Sequence, residues 1–452
     1  MAYPEGFVWG AATSSYQIEG AHDADGRGAS IWDTFCRREG AVYGGHTGDV
    51  AADHYNRFRE DVALMSALGL KAYRLSISWP RIFPDGVGKV NTRGLSFYSR
   101  LVDALLEAGI TPWVTLFHWD LPQALFSRGG WLSPRIPEWF EGYTQAVVGA
   151  LSDRVSNWMT LNEPQVFIGH GYERGEHAPG LKLSRAENLQ AVHNALLAHG
   201  RSAQIIRARA RLTPTISWAP VGVVSVPHTN RPEDVSAARK HTFDVRGTWN
   251  SSWYMDPVFL GGYPEAGLRF FGKDVPKFTA ADMELIRQPM DIAGVNIYNS
   301  ERVRAGADGP EVVPRPIGYP RTAMEWPVEP DCLYWGPRFL YERYKLPIVI
   351  TENGMASHDW LDKDNRVRDP QRIDFIRRHL LALEKAVGHG VDVRGYFYWS
   401  ILDNFEWAEG YRRRFGLIHV DFETQRRTPK DSARWYGKVI ATNGASLRQK
   451  LR

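Results

Sequence analysis

The chain has 452 residues, with 55 Lys and Arg against 51 Asp and Glu, a formal net charge of +4. That balance is small for the length and no basic run is interleaved with aromatics, so no nucleic-acid partner is expected. With 43% hydrophobic and 23% charged residues the composition is that of an ordinary globular protein rather than a disordered one. No apolar run approaches the ~20 residues of a membrane helix, so no membrane partner is expected. The first ten residues lack a charged segment followed by an apolar one, and a cytoplasmic location is expected in place of secretion. Cys36 and Cys332 are the only cysteines, too few for a disulfide framework. The 17 Trp are the unusual feature. Their flat apolar faces suit either core packing or the C–H face of a sugar ring.

In chain order, a short apolar run predicts a strand over 7–12, and helical spacing of Tyr55, Phe58, Val62 and Met65 predicts a helix over 53–68. A strand over 72–77 and a helix over 92–108 follow, the helix closed by Gly109. A strand over 112–117 runs into His118-Trp119-Asp120, and a helix over 137–151 follows it. A strand over 157–161 runs into Asn162-Glu163-Pro164. Ser184 and Glu187 form a capping box for a helix over 184–210. A strand over 215–218, a helix over 232–249 and a strand over 291–296 come next, then a Pro/Gly-rich irregular loop over 301–330. A helix over 333–344 leads to a strand over 346–350 that delivers Thr351-Glu352-Asn353-Gly354. A helix over 370–387, a strand over 393–399 and a helix over 431–440 complete the series.

Eight strands, each followed by helix, predict an α/β fold with a parallel sheet closed into a (β/α)8 TIM barrel with long βα-loops. No linker or internal repeat divides it, so residues 1–452 are expected to form one catalytic domain. In such a barrel the functional groups sit at the C-terminal strand ends. Those ends carry Gln17, Arg74, His118, Trp119, Asn162, Glu163, Asn296, Tyr298, Glu352, Asn353 and Trp399. The set is rich in amides, aromatics and carboxylates and nearly free of lysine, as suits a pocket that binds hydroxyls and stacks on a ring. Two glutamates at two strand ends are the pair that glycosidic cleavage needs. No His/Cys/Asp group has metal-ligand spacing, no Gly-x-Ser-x-Gly elbow occurs, and no Gly-x-Gly-x-x-Gly follows a strand. Metal, serine-hydrolase and hydride chemistry are not expected, and neither is a cofactor.

The chain resembles family 1 glycoside hydrolases of the β-glucosidase type along nearly its whole length. The resemblance rests on Phe7-Val8-Trp9-Gly10-Ala11-Ala12-Thr13 with Gln17-Ile18-Glu19-Gly20, on Tyr73-Arg74-Leu75-Ser76-Ile77-Ser78-Trp79-Pro80-Arg81, and on Phe117-His118-Trp119-Asp120-Leu121-Pro122. It continues in Thr160-Leu161-Asn162-Glu163-Pro164, Ile350-Thr351-Glu352-Asn353-Gly354 and Trp399-Ser400-Ile401-Leu402-Asp403-Asn404-Phe405-Glu406-Trp407. It implies a retaining, exo-acting β-glucosidase, with Glu352 as nucleophile supported by Arg74 and Tyr298, and Glu163 as acid/base. It implies Asn162 at the sugar 2-hydroxyl, with Gln17, His118, Glu406 and Trp407 at the 3-, 4- and 6-hydroxyls. Trp399 becomes the pocket floor, and Asn296 a further polar lining residue. Trp119 and Phe415 either pack or touch sugar. Substrates are expected to be β-glucosides and cello-oligosaccharides, with β-galactosides and β-fucosides as side substrates and transfer to alcohols accompanying hydrolysis. A galactosidase or fucosidase on the same site is the near alternative, and a non-catalytic sugar binder the distant one. Nothing in the sequence specifies an oligomeric state.

Relatives that act on phosphorylated sugars need cationic or hydroxyl groups where Glu406 stands, and a carboxylate there is expected to repel phosphate. Three positions depart from the family's habit. Ile297 stands where Tyr is common, Gln165 where some relatives have an aromatic, and Glu325 where Gly is frequent. Gln165 and Trp326 fall where the family binds the leaving group.

Overall fold

The computed structural model describes residues 3–449. Eight parallel strands surround a common axis: β1 (Val8–Ala12), β2 (Ala72–Ser76), β3 (Thr111–Phe117), β4 (Asn157–Asn162), β5 (Thr215–Ala219), β6 (Ala293–Asn296), β7 (Ile348–Asn353) and β8 (Val393–Trp399). Their hydrogen-bonded order is β5-β4-β3-β2-β1-β8-β7-β6. The remaining seam, between β5 and β6, is closed by irregular bonds rather than a ladder. Asp291 N donates to Ile216 O at 3.0 Å, Asn296 N to Pro220 O at 3.0 Å, and Gly222 N to Asn296 O at 2.8 Å. Gly294 is required here, because a Cβ would lie 2.4 Å from Trp218 O.

The bore of the barrel is apolar below and polar above. Ala12, Ala72, Trp113, Met159, Ala219, Val349 and Phe397 form one apolar cluster drawn from seven strands. Trp113 and Phe397 meet at 5.2 Å between ring centroids, and Gly10 leaves room for them, since a Cβ there would sit 2.4 Å from the Phe397 ring. Side chains repeat every second residue along a strand. One step above Ala72 and Trp113 the inward positions are therefore Arg74 and Thr115, and Arg74 Nε donates to Thr115 Oγ1 at 3.1 Å.

The principal helices are α1 (His54–Ala67), α2 (Thr92–Glu107), α3 (Ile136–Leu151), α4 (Arg185–Arg209), α5 (Pro232–Phe243), α6 (Ser252–Leu260), α7 (Ala280–Ile286), α8 (Cys332–Tyr344), α9 (Pro370–Gly388) and α10 (Asp431–Ala441). In α2, Phe97, Tyr98, Leu101, Val102 and Leu105 fall on one buried face, the i, i+4 pattern of a helix against a core. The capping box of α4 is present, with Ser184 N donating to Glu187 Oε2 at 2.9 Å. No helix among the described residues is long and apolar enough to cross a membrane. Cys36 and Cys332 are both buried free thiols.

The fold differs from the sequence expectation in three stretches, one being 252–286, where α6 and α7 form and no helix was expected. The helix expected over 232–249 stops at Phe243, and residues 244–250 turn toward the pocket. The loop expected to be irregular over 301–330 begins with a hairpin, Glu301–Gly306 and Gly309–Val312, that pairs with Ser225–Pro227 in a separate three-stranded sheet. Its two-residue turn, Ala307-Asp308, lies between the paired Gly306 and Gly309.

Candidate active site

A cavity of about 1250 Å³ opens at the C-terminal ends of the strands. Of the residues singled out in the sequence, His118, Trp119, Glu163, Asn296, Tyr298, Trp326, Glu352, Trp399, Glu406, Trp407 and Phe415 line it. Gln17, Arg74 and Asn162 are fully enclosed just behind its wall.

Glu352 lies near the end of β7 and is 3% exposed. The Arg74 guanidinium from β2 donates to its Oε1, and the Tyr298 hydroxyl donates to Oε2 at 2.6 Å. Arg74 is itself fixed by three further acceptors: Thr115 Oγ1, Thr351 O at 3.2 Å and Asn162 Oδ1 at 2.6 Å. Glu163 follows β4 and is 7% exposed. It receives a neutral donor, Asn296 Nδ2, at 2.9 Å, and the same nitrogen reaches Asn162 Oδ1 at 3.1 Å. Thr351 Oγ1 holds the other end of the Asn296 amide at 2.6 Å.

These surroundings separate the acidities of the two carboxyls. Burial, reinforced by the nearby Glu352 charge, pushes Glu163 well above the usual carboxyl range. Burial also raises Glu352, but the Arg74 charge and the Tyr298 hydrogen bond oppose it and favour the ionised form. Tyr298 stays a phenol, because burial and the two glutamates raise its pKa. His118 is held neutral by burial and by the charge of Arg74. Asn162 Nδ2 lies 3.2 Å from His118 Nε2. An amide nitrogen can only donate, so Nε2 accepts and the ring proton sits on Nδ1.

Aromatic rings form the rest of the base. His118 stacks on Trp399 at 5.6 Å, and Trp119 meets Trp407 at 4.5 Å. Trp119 Nε1 donates to Asn162 O at 3.0 Å. Tyr298, Trp326 and Phe415 pack together on the opposite side, with Tyr298 and Trp326 at 5.2 Å. Three of these residues have left-handed backbones: Trp119 at φ 80°, Glu163 at 46° and Trp407 at 50°. Each such non-glycine residue costs about 1–3 kcal/mol and persists where its surroundings hold it. Glu325 has the same geometry, φ 60°, which gives a physical basis to the glycine frequent there in relatives.

Glu406 Oε2 accepts from Asn404 Nδ2 at 3.0 Å and Gln17 Nε2 at 3.2 Å. Burial raises its pKa to about 8, more than those two amides lower it. The expectation of a charged Glu406 is corrected to this extent: burial favours its neutral acid form. Gln165 is corrected as well. It is buried, at 1% exposure, and bonded to the Val221 backbone instead of facing the cavity.

Sequence reading missed most of the mouth. Phe35, Tyr43, Val221, His177, His241 and Trp249 line it. Tyr43, His177, Val221 and Trp249 come from loops and turns without hydrophobic periodicity, whereas Phe35 ends a short helix and His241 lies in the last turn of α5. The one available signal was the surplus of aromatic residues.

Two buried carboxyls of unequal acidity, at the base of a pocket lined by rings and amides, can act as the acid and nucleophile of glycosidic bond cleavage. The comparisons agree. The sequence model of glycosyl hydrolase family 1 matches residues 1–445. Beta-glucosidase A of Thermotoga maritima is 45% identical, with 98% of each chain covered. The 1,4-beta-D-glucan glucohydrolase of Thermotoga neapolitana is 44% identical, covering 98% of this chain and 99% of its own. The solved structure of the Thermotoga maritima beta-glucosidase in complex with glucoimidazole superposes with a TM-score of 0.90 at 45% identity, covering 98% of this chain and 99% of that one. The chain belongs to glycosyl hydrolase family 1, a family of retaining glycoside hydrolases built on a TIM barrel.

Proposed function

We propose that the protein is an exo-acting β-glucosidase that removes terminal β-glucosyl residues from cello-oligosaccharides and from aryl and alkyl β-glucosides. The observation that carries the reading is the asymmetry of the two glutamates: Glu352 faces a cation and a phenol, Glu163 a neutral amide. The names of the relatives, beta-glucosidase and 1,4-beta-D-glucan glucohydrolase, support glucose as the sugar.

Glu352 attacks the anomeric carbon while Glu163 delivers its proton to the departing oxygen. The product of this step is a glycosyl ester on Glu352 and a free alcohol. Esterification removes the negative charge that, after burial, contributes most to raising Glu163. With its pKa lowered, Glu163 stays ionised after giving up its proton; as the carboxylate it takes a proton from an incoming water, and the water displaces Glu352 with net retention. An alcohol in place of water gives transglycosylation by the same step.

Sugar hydroxyls that displace the 3.2 Å Asn162–His118 contact take its two ends separately, the 2-hydroxyl at the Asn162 amide and the 3-hydroxyl at His118. Contacts at the 2-hydroxyl strengthen as positive charge develops on the ring. Gln17 and Glu406 with Trp407 take the 3-, 4- and 6-hydroxyls, and Trp399 the ring face. A grip made of amides and one carboxyl tolerates inversion at O4 or loss of O6, so β-galactosides and β-fucosides are slower substrates.

A panel of aryl glycosides, with proton NMR of the first-formed sugar, tests the reading. The expected result is fastest cleavage of the β-glucoside with the β-anomer appearing first. Faster cleavage of a 6-phosphoglucoside, or the α-anomer first, contradicts it.

A further inference from the structure

Glu163 has a strained backbone, φ 46° and ψ 65°, and something must hold it there. Before it, Glu163 N donates to Ala219 O at 2.8 Å. Two residues after it, Gln165 clamps the same departing segment of β5. Its Oε1 accepts from Val221 N at 3.1 Å, and its Nε2 donates to Val221 O at 3.1 Å. A side-chain amide here plays the part of a strand neighbour. Both anchors fall within three residues of one segment, so Glu163 is gripped from both sides.

The clamped segment continues to the acid itself. Val221 forms an isolated parallel bridge with Asn296 across the barrel seam, and the Asn296 amide donates to Glu163 Oε1 at 2.9 Å. Val221 also lines the cavity, on the side of Glu163. Glu352 is held by Arg74 from β2 and by Tyr298, two residues beyond Asn296, and it pairs with Asn296 across β6 and β7. The clamp therefore acts on the Glu163 turn directly and on Glu352 only at one remove, through the Asn296–Tyr298 segment.

We propose that Gln165 is a positioning residue for proton transfer: it holds the strained Glu163 and the Val221 wall in register, so that the acid meets the leaving oxygen. This rests on Glu163 being the acid/base. A side chain of similar size without hydrogen bonds leaves the Val221 N–H and C=O without these partners and frees the Glu163 turn to relax. Nucleophilic attack continues, and protonation suffers.

The test compares kcat/KM for 2,4-dinitrophenyl β-glucoside, whose leaving group needs no proton, with that for an alkyl β-glucoside, whose leaving group does. Gln165→Met is expected to lose about tenfold or more on the alkyl glucoside and no more than about twofold on the dinitrophenyl glucoside, within the range general acid catalysis supplies. Gln165→Asn keeps an amide but shortens its reach, and serves in the same way if the Met variant does not fold. Glu163→Gln is run alongside. If Glu163→Gln shows no such split, the acid/base assignment fails. If it splits and both Gln165 variants lose activity equally on the two substrates, or lose none, the positioning role is overturned.

Discussion

At the base of the pocket Arg74 bonds Thr115, Asn162 and Glu352, Asn296 bonds Asn162 and Glu163, and each of these side chains is buried on or beside a barrel strand. At the mouth Tyr43 is 51% exposed under the Arg412 guanidinium, and Trp249 is 40% exposed with its ring edge-on to His170. The base is a hydrogen-bonded lattice in which moving one group strains several. The mouth is a set of separate contacts on loops. That difference places the chemistry where geometry is over-determined and leaving-group recognition where change is tolerated, so substitutions should lose effect with distance from the base.

The largest effect is expected from Glu352→Ala. Loss of a nucleophile that acts as part of a unit lowers kcat on the order of 10⁵-fold, measurable with any aryl glucoside. Glu163→Ala comes next and is selective, costing about 10²–10⁴-fold on alkyl glucosides and far less on the dinitrophenyl glucoside. Equal losses on both would remove the distinction between the two carboxyls. Glu406→Gln sharpens the comparison through stability. The folded pKa of Glu406 is raised from 4.5 to about 8, so its contribution is fully present below about 4.5 and is lost as pH rises toward 8. The variant keeps a neutral side chain, and its Tm should gain on that of the parent between pH 5 and pH 8. A constant difference across that range would contradict the raised pKa. At the mouth, Trp249→Ala should cost about fivefold or less in kcat/KM on cello-oligosaccharides, as one exposed ring contact of about 1 kcal/mol does, and should leave the dinitrophenyl glucoside unchanged.

The base was legible in the sequence because its residues follow apolar strands of clear period, and the strand ends supplied the cavity-lining Glu163, Asn296, Glu352 and Trp399 directly. The bond from Arg74 to Asn162, which ties the acid's neighbour to the nucleophile's cation, was not legible. It joins strands whose side chains meet only in the bore. Val221 and Trp249 were invisible as lining residues for a different reason. Val221 takes its place from the bridge to Asn296, and Trp249 from the chain leaving α5 at Phe243, six residues before the periodic reading ended. Gln165 was noticed only as a departure from habit, and its partner Val221 lies far off in sequence. The Glu301–Gly306 strand was concealed because a single position, Val303, is buried along it.

The central claim is that Glu352 attacks and Glu163 transfers the proton. It is tested most directly by the configuration of the glucosyl azide formed from 2,4-dinitrophenyl β-glucoside by Glu352→Ala in the presence of azide. With the carboxylate gone, azide enters on the face Glu352 occupied, and the account predicts α-glucosyl azide. Formation of β-glucosyl azide by that variant would contradict it.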